Sequence, residues 1–221
     1  MHIRDLPDRT QDYIKVVWDI TEYTGGPAAL GEIAKRVGQK TSTASEAIKR
    51  LGHQQLVHHE PYAGVTLTPS GKDLALQMVR RHRLIETFLV RVLGYSWDEV
   101  HDDADMLEHG VSDLLLKRID DYLGHPARDP HGDPIPDATG AFPRQDVHTL
   151  ATIEPGATVT IAQVDDSDPE LLRYLASHGL IPEATLTVPE AAVAGILQVT
   201  NSSGDTIPLS ESSLGAIRVT R

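Results

Sequence analysis

The chain contains no cysteine, which excludes disulfides, thiolate metal ligands, iron–sulfur clusters and thiol catalysis together. Any metal it holds must be held by imidazole, carboxylate, amide or backbone oxygen. Aromatic residues are scarce, at 5%, and no stretch nears the roughly 18 uncharged apolar residues that a membrane span requires. The first residues, MHIRDLPDRTQDYI, lack the apolar centre of a secretory signal. The expectation is a cytoplasmic protein with no membrane partner. Positive charge is also short, with 20 Lys+Arg against 32 Asp+Glu and a net charge of −12. The shortage is uneven: residues 1–95 hold 13 Lys+Arg against 10 Asp+Glu, whereas residues 96–221 hold 7 against 22. Local charge governs attraction to phosphate, so only the N-terminal part suits nucleic acid, while the acidic remainder suits cations.

At 221 residues the chain can bury a core without staples, as one or two domains. In TQDYIKVVWDITEYT (residues 10–24), Tyr13, Val16, Val17, Ile20 and Tyr23 recur at helical spacing, and Gly25-Gly26-Pro27 stops the helix. Leu30, Ile33, Ala34 and Val37 predict a short second helix closed by Gly38. Thr41-Ser42 offers an N-cap for a third, running through Leu51 with Ala44, Ala47, Ile48 and Leu51 inward. LVHHE and VTLT, joined by Pro61-Tyr62-Ala63-Gly64, predict a hairpin, so the unit is a winged helix-turn-helix. A long helix is expected near residues 69–94, and a second from SWDEV to about Leu123. The stretch 124–146, GHPARDPHGDPIPDATGAFPRQD, is rich in proline and glycine and predicts a linker or irregular loop at a domain boundary. Beyond it, TVTIAQV, TLTVPEA, GILQVT, TIPLS and AIRVTR alternate with turns around one helix, ELLRYLASHGL, which describes a small β-barrel of SH3-like size.

The third helix is the candidate reader of DNA. Ser42, Thr43, Ser45 and Glu46 form its exposed set after Lys40 and Thr41, with Lys40, Lys49 and Arg50 as phosphate partners. His58, His59 and Tyr62 of the wing are placed to approach the adjacent groove. The competing view is a protein-interaction module, since winged helices serve there too. The basic surplus over residues 35–50 favours DNA.

The second constellation is a set of metal-ligand side chains. On a helix, His82 and Glu86 share a face, and His101, Asp105, Glu108 and His109 lie within roughly 100° of one another. His101 and the group at 105–109 are separated by roughly 9 Å along the axis, so two adjacent sites fit better than one. Asp12, at the start of the first helix, is placed to complete a site with Asp105, Glu108 and His109. A single His/Glu pair of this spacing is usually a surface ion pair, and Arg80, Arg81 and Arg83 are near enough to engage Glu86 instead. Asp165, Asp166 and Asp168 in QVDDSDPELL read as a solvated loop and helix cap, or as a carboxylate source for a cation.

The order winged helix, HRLIE, VHDDADMLEH, DPHGDPIP and a small β-domain resembles the DtxR/MntR family of metal-dependent transcriptional repressors along essentially the whole chain. The resemblance implies a mainly α protein with β: a winged-helix DNA-binding domain over 1–72, a helical dimerisation and metal-binding domain over 73–140 and an SH3-like (FeoA-like) domain over 147–221. It assigns His82, Glu86 and His101 to an ancillary metal site, and Asp12, Asp105, Glu108 and His109 to a regulatory one. By the same resemblance the ancillary site gains a ligand from QVDDSD, Asp166 or Asp165. Iron-responsive members carry Met and Cys at the positions of Asp12 and Asp105, whereas manganese-responsive members carry carboxylates. An oxygen-rich set suits hard Mn²⁺, two ions per subunit, although Fe²⁺, Co²⁺, Ni²⁺ or Zn²⁺ can also bind such ligands in vitro. Small manganese-only members place another carboxylate one turn after Asp12, where this chain has Lys15, so separate sites are implied rather than a bridged pair. The implied protein is a homodimeric Mn²⁺-activated repressor of manganese-uptake genes on a palindromic operator, not an enzyme, with no small organic substrate. The alternatives are an Fe²⁺-responsive repressor, a metal-buffering protein, and a di-metal carboxylate enzyme. The enzyme reading is disfavoured because paired Glu-x-x-His motifs are absent.

Overall fold

The computed structural model describes residues 2–60, 63–141 and 145–221, so the wing residue Tyr62 lies outside the described residues. The chain divides into two compact units. The first comprises Met1–His82 with Glu108–Val111 and Pro136–Ala141, and the second Arg83–Leu107, Ser112–Ile135 and Phe142–Arg221.

In the first unit, α1 (Asp8–Thr24), α2 (Leu30–Arg36) and α3 (Thr41–His53) precede the hairpin of β1 (Val57–Glu60) and β2 (Gly64–Leu67), paired His58 to Thr66 and His59 to Val65. The apolar stripes close on one another: Ile14, Val17 and Ile20 of α1, Ile33 of α2, and Ala44, Ile48 and Leu51 of α3 share one core with Val57 and Val65. Burial of each large aliphatic side chain contributes about 1.5–3 kcal/mol. Thr41 does not cap α3 but opens it; Lys40 takes the cap position in extended conformation, without a side-chain cap bond.

The helix expected over 69–94 is α4 (Pro69–Phe88), continued by one π turn, Leu89–Leu93, and ended by Gly94 at φ 79°. The single helix expected after SWDEV is two: α5 (Val100–Glu108) and α6 (Asp113–Leu123). Gly110 lies in the break, and Ser112 N-caps α6 by accepting a hydrogen bond from the Leu115 N–H, so a new helix nucleates there.

The β-rich part of the second unit carries β3 (His148–Thr149), β4 (Thr158–Val164), α7 (Pro169–Ser177), β5 (Thr185–Thr187), β6 (Ile196–Asn201), β7 (Thr206–Ser210), α8 (Glu211–Ala216) and β8 (Ile217–Thr220). The strands form one antiparallel sheet in the order β3-β8-β4-β5-β6-β7, SH3-like in size. Alternation puts Val159, Ile161, Leu197, Val199, Ile207 and Leu209 into its core with Leu172 and Leu175 of α7. No helix among the described residues is long and apolar enough to cross a membrane.

Candidate metal centres

The first unit gathers one cluster from α1, α4 and the end of α5. His109 Nε2 lies 3.0 Å from Asp12 Oδ1 and 3.8 Å from Glu108 Oε1, and all three residues offer an atom within 4.8 Å of the others. The Gln11 amide fixes the ring. Its nitrogen donates to the Leu6 carbonyl, so its oxygen faces His109 and accepts from Nδ1–H at 2.9 Å. Nε2 is thereby turned to Asp12. The Asp12 carboxylate raises the His109 pKa above the ordinary imidazole value, against the opposing effect of burial and with help from Glu108. A metal would replace the Nε2 proton with a larger charge.

Glu108 is 2% exposed, and its Oε2 meets both His82 Nδ1 at 2.7 Å and the Lys15 ammonium at 3.0 Å. Arg81, also buried, donates to the Val111 carbonyl at 2.6 Å and so ties α4 to the turn that carries His109.

The second unit holds another cluster. His101 Nδ1 lies 2.9 Å from Asp166 Oδ2 and 3.5 Å from Glu86 Oε1, while His101 Nε2 lies 3.6 Å from Asp105. Asp166 is the aspartate of QVDDSD that meets His101; Asp165 Oδ1 accepts from the Ser167 N–H. Burial works to raise the Asp166 carboxyl, but His101 and His131 beside it hold it well below the usual carboxylate range. Asp105 thus pairs with His101 in this unit.

Two residues of this cluster were not singled out from sequence. The stretch expected to be a linker buries Asp129, His131 and Asp133. Asp129 Oδ1 accepts from the N–H groups of His131 and Asp133, both at 2.9 Å, and folds the loop on itself. Gly132 is required there: its φ is 88°, and a Cβ would stand 2.1 Å from the Ala162 carbonyl oxygen. Arg83 holds the loop's carboxylates, with nitrogen–oxygen distances of 3.6 Å to Asp129 and 3.5 Å to Asp133. The His131 ring stacks on Trp97 and donates from Nε2 to the Trp97 carbonyl at 2.7 Å. Its Nδ1 is left toward Glu86 Oε2 at 3.7 Å and Asp166 Oδ2 at 4.0 Å, without a hydrogen-bond partner among the described residues. Burial pushes the Asp129 pKa up to about 6, reinforced by Glu86 and opposed by His131 and Arg83. Burial acts to lower the His131 pKa, but Glu86 and Asp166 override it and hold the imidazolium well above its ordinary value. Buried carboxylates and imidazole nitrogens converging in this way form a cation-binding donor set.

On the first unit's surface, Lys40, Thr41, Ser42, Thr43, Glu46, Lys49 and Arg50 are exposed and Ser45 is half-buried. Lys49 pairs with Glu46 at 2.8 Å. Ser42, Thr43, Glu46 and Arg50 line a cleft of about 700 Å³ whose other wall includes Arg9 and Gln39, which sequence inspection had passed over.

Three family models match along the chain. They are an iron dependent repressor N-terminal DNA binding domain over residues 5–65, an iron dependent repressor metal binding and dimerisation domain over 68–137, and a FeoA domain over 148–221. Over 88% of its length the chain is 30% identical to the iron-dependent repressor IdeR of Mycobacterium tuberculosis, 89% of which is covered. The chain belongs to the DtxR/IdeR family of metal-dependent repressors. Among solved structures, this repressor is similar to a manganese-dependent transcriptional repressor in complex with manganese, at 47% identity and a TM-score of 0.91 over 96% of this chain and 99% of that one. It is also similar to IdeR of T. acidophilum, at 28% identity and a TM-score of 0.84 over 95% and 96%. The IdeR relative therefore carries iron in its name, and the more similar of these two structures carries manganese. In the repressor described here, both clusters consist of oxygen and imidazole donors, a composition that fits a hard divalent cation.

Proposed function

We propose that this chain is a Mn²⁺-activated repressor that binds a palindromic operator as a homodimer and controls manganese-uptake genes. The observation that carries this reading is the junction of Asp12 on α1 with Glu108 and His109 at the end of α5, which links the DNA-reading helices to a ligand set remote in sequence. When bound, a divalent cation supplies the charge that lets Asp12, Glu108 and His109 share one point, and its preference for that arrangement shifts the population toward the DNA-competent state. Asp105 belongs to the same regulatory set, one helical turn before Glu108 and His109. The ancillary set is Glu86, His101 and Asp166 with His82 from the preceding turn of α4, and it is extended by Asp129 and His131. One ion per set gives two per subunit.

Manganese is favoured over iron because no sulfur ligand stands at Asp12 or Asp105 and because of the likeness to the manganese-bound repressor. The iron-responsive alternative rests on the IdeR relatives. A homodimer is favoured by the apolar side chains exposed on α5 and α6, Met106 at 78%, Leu114 at 66% and Tyr122 at 71% among them, which are costly to leave in water. The Ser42, Thr43 and Arg50 surface then faces the operator with Arg9 and Gln39 beside it. A metal-response profile tests the choice of ion: DNA binding by the metal-free chain is expected to be restored by Mn²⁺ titrated alone. Restoration by Fe²⁺ alone would overturn the manganese assignment.

A further inference from the structure

Arg9, Tyr13 and Arg50 bring two guanidinium groups and a phenol to one cleft of the first unit, between α1 and α3. Arg9 and Tyr13 stand four residues apart on α1, so they share a face of that helix. The Tyr13 hydroxyl is buried and has no hydrogen-bond partner among the described residues. A buried hydroxyl costs free energy until an acceptor reaches it, so this one marks a place for a ligand oxygen. Burial pushes the Tyr13 pKa up, while Arg9 and then Arg50 pull it down, so both guanidiniums act on the phenol. Glu46 also lines the cleft, but Lys49 neutralises it at 2.8 Å. Two positive groups and a neutral O–H donor suit the oxygens of a phosphate.

Arg9 has another partner. Its Nη1 lies 3.6 Å from Asp12 Oδ2, while Asp12 Oδ1 faces His109 at 3.0 Å. Asp12 is therefore shared between the regulatory ligand set and a guanidinium that borders the DNA face. The Arg9 side chain is 67% exposed, and an ion pair so open to water adds little stability, so its partners exchange readily.

We propose that this ion pair is an exchange device between metal and DNA: Arg9, Tyr13 and Arg50 form the seat of one operator phosphate, and Arg9 is released to it when Asp12 enters the ligand set. Without metal, Asp12 holds Arg9 back. With metal, the carboxylate charge is committed elsewhere, the like charge of the cation disfavours the guanidinium beside it, and Arg9 turns to the phosphate next to Arg50 as the Tyr13 O–H donates. The proposal rests on the metal-sensor reading and adds to it the residue that carries the signal from Asp12 to DNA.

The test compares operator affinity over a series of salt concentrations with Mn²⁺ affinity measured in the absence of DNA, both on the full-length chain. Arg9→Gln is expected to weaken operator binding by the Mn²⁺-loaded chain about tenfold and to lower the slope of log affinity against log salt by about one. The same variant is expected to bind Mn²⁺ about two- to fivefold more tightly without DNA, because nothing then competes for Asp12. Opposite signs are the signature, since a residue that only supports the fold moves both affinities the same way. Arg9→Lys is expected to restore the slope. Tyr13→Phe keeps the ring, removes the hydroxyl and is expected to weaken operator binding about threefold with the slope retained. Affinities for Mn²⁺ and operator that move together in Arg9→Gln, or either one unchanged, would overturn the exchange, while activation of the wild type by Mn²⁺ leaves the sensor intact. Displacement of the duplex by orthophosphate at constant ionic strength would assign the seat to a free anion and overturn the proposal too. Wild-type operator binding that ignores Mn²⁺ would overturn the sensor reading and this proposal together.

Discussion

Glu108 illustrates how much rests on single side chains in this molecule. Buried between Lys15, His82 and His109, its carboxylate can be removed only by taking a close negative charge away from Lys15 and His82. Glu108→Ala and Asp12→Ala are each expected to lower Mn²⁺-dependent affinity for DNA by at least tenfold, read by fluorescence anisotropy. Unchanged activation in Glu108→Ala would remove it from the ligand set. Ligand softness makes a second residue-scale prediction: Asp12→Met with Asp105→Cys should move the metal response from Mn²⁺ toward Fe²⁺ or Co²⁺, and an unaltered profile would reject the argument from donor type. The loop at Gly132 makes a third. Gly132→Ala must force a Cβ against the Ala162 carbonyl in left-handed backbone, and a loss of about 1–3 kcal/mol is expected in chemical denaturation. Asp129 and His131 sit just before this strained point and were hidden in the sequence by the composition of their stretch. A stretch with so many prolines and glycines reads as solvated linker, whereas the Asp-Pro-His-Gly-Asp order encodes a self-bonded turn whose aspartate satisfies its own N–H groups.

Among the elements, the winged helix was the most legible, because each apolar stripe in α1, α2 and α3 has helical period, and α1 and α2 are stopped by Gly25 and Gly38. The stripe on α1 is nonetheless wider than apolar spacing indicates: Gln11 and Lys15 are buried with it, since that edge meets the polar cluster rather than the core. The break between α5 and α6 was missed for the opposite reason. Apolar residues continue at helical spacing across it, and the signals that end and restart the helix, Gly110 and Ser112, are single residues. Ser112→Ala should cost about 1 kcal/mol of stability by removing the cap on α6. The two-residue β3 and the six-residue α8 were too short for any periodicity to register.

At the level of the whole molecule, the linear order of DNA-binding, metal-binding and FeoA segments, matched by the three family models, is legible in the sequence. Spatial grouping is not: Glu108–Val111 joins the first compact unit although it is flanked on both sides by residues of the second. Contacts that distant in sequence leave no periodic trace, so Asp12 and His109 are associated in the sequence by donor type and by resemblance, not by spacing. The exposed apolar side chains of α5 and α6 belong to this scale as well. Met106→Glu with Leu115→Glu is expected to give a monomer in analytical ultracentrifugation, and a persisting dimer would place self-association elsewhere.

The central claim is that metal occupancy controls DNA binding, and one titration addresses it directly. A palindromic duplex enriched by the Mn²⁺-loaded chain from a random-sequence pool is titrated with wild-type protein, with Mn²⁺ and after chelation, at fixed salt. Affinity at least a hundredfold higher with Mn²⁺ is expected; equal affinity in the two conditions would refute the assignment of this chain as a metal-activated repressor.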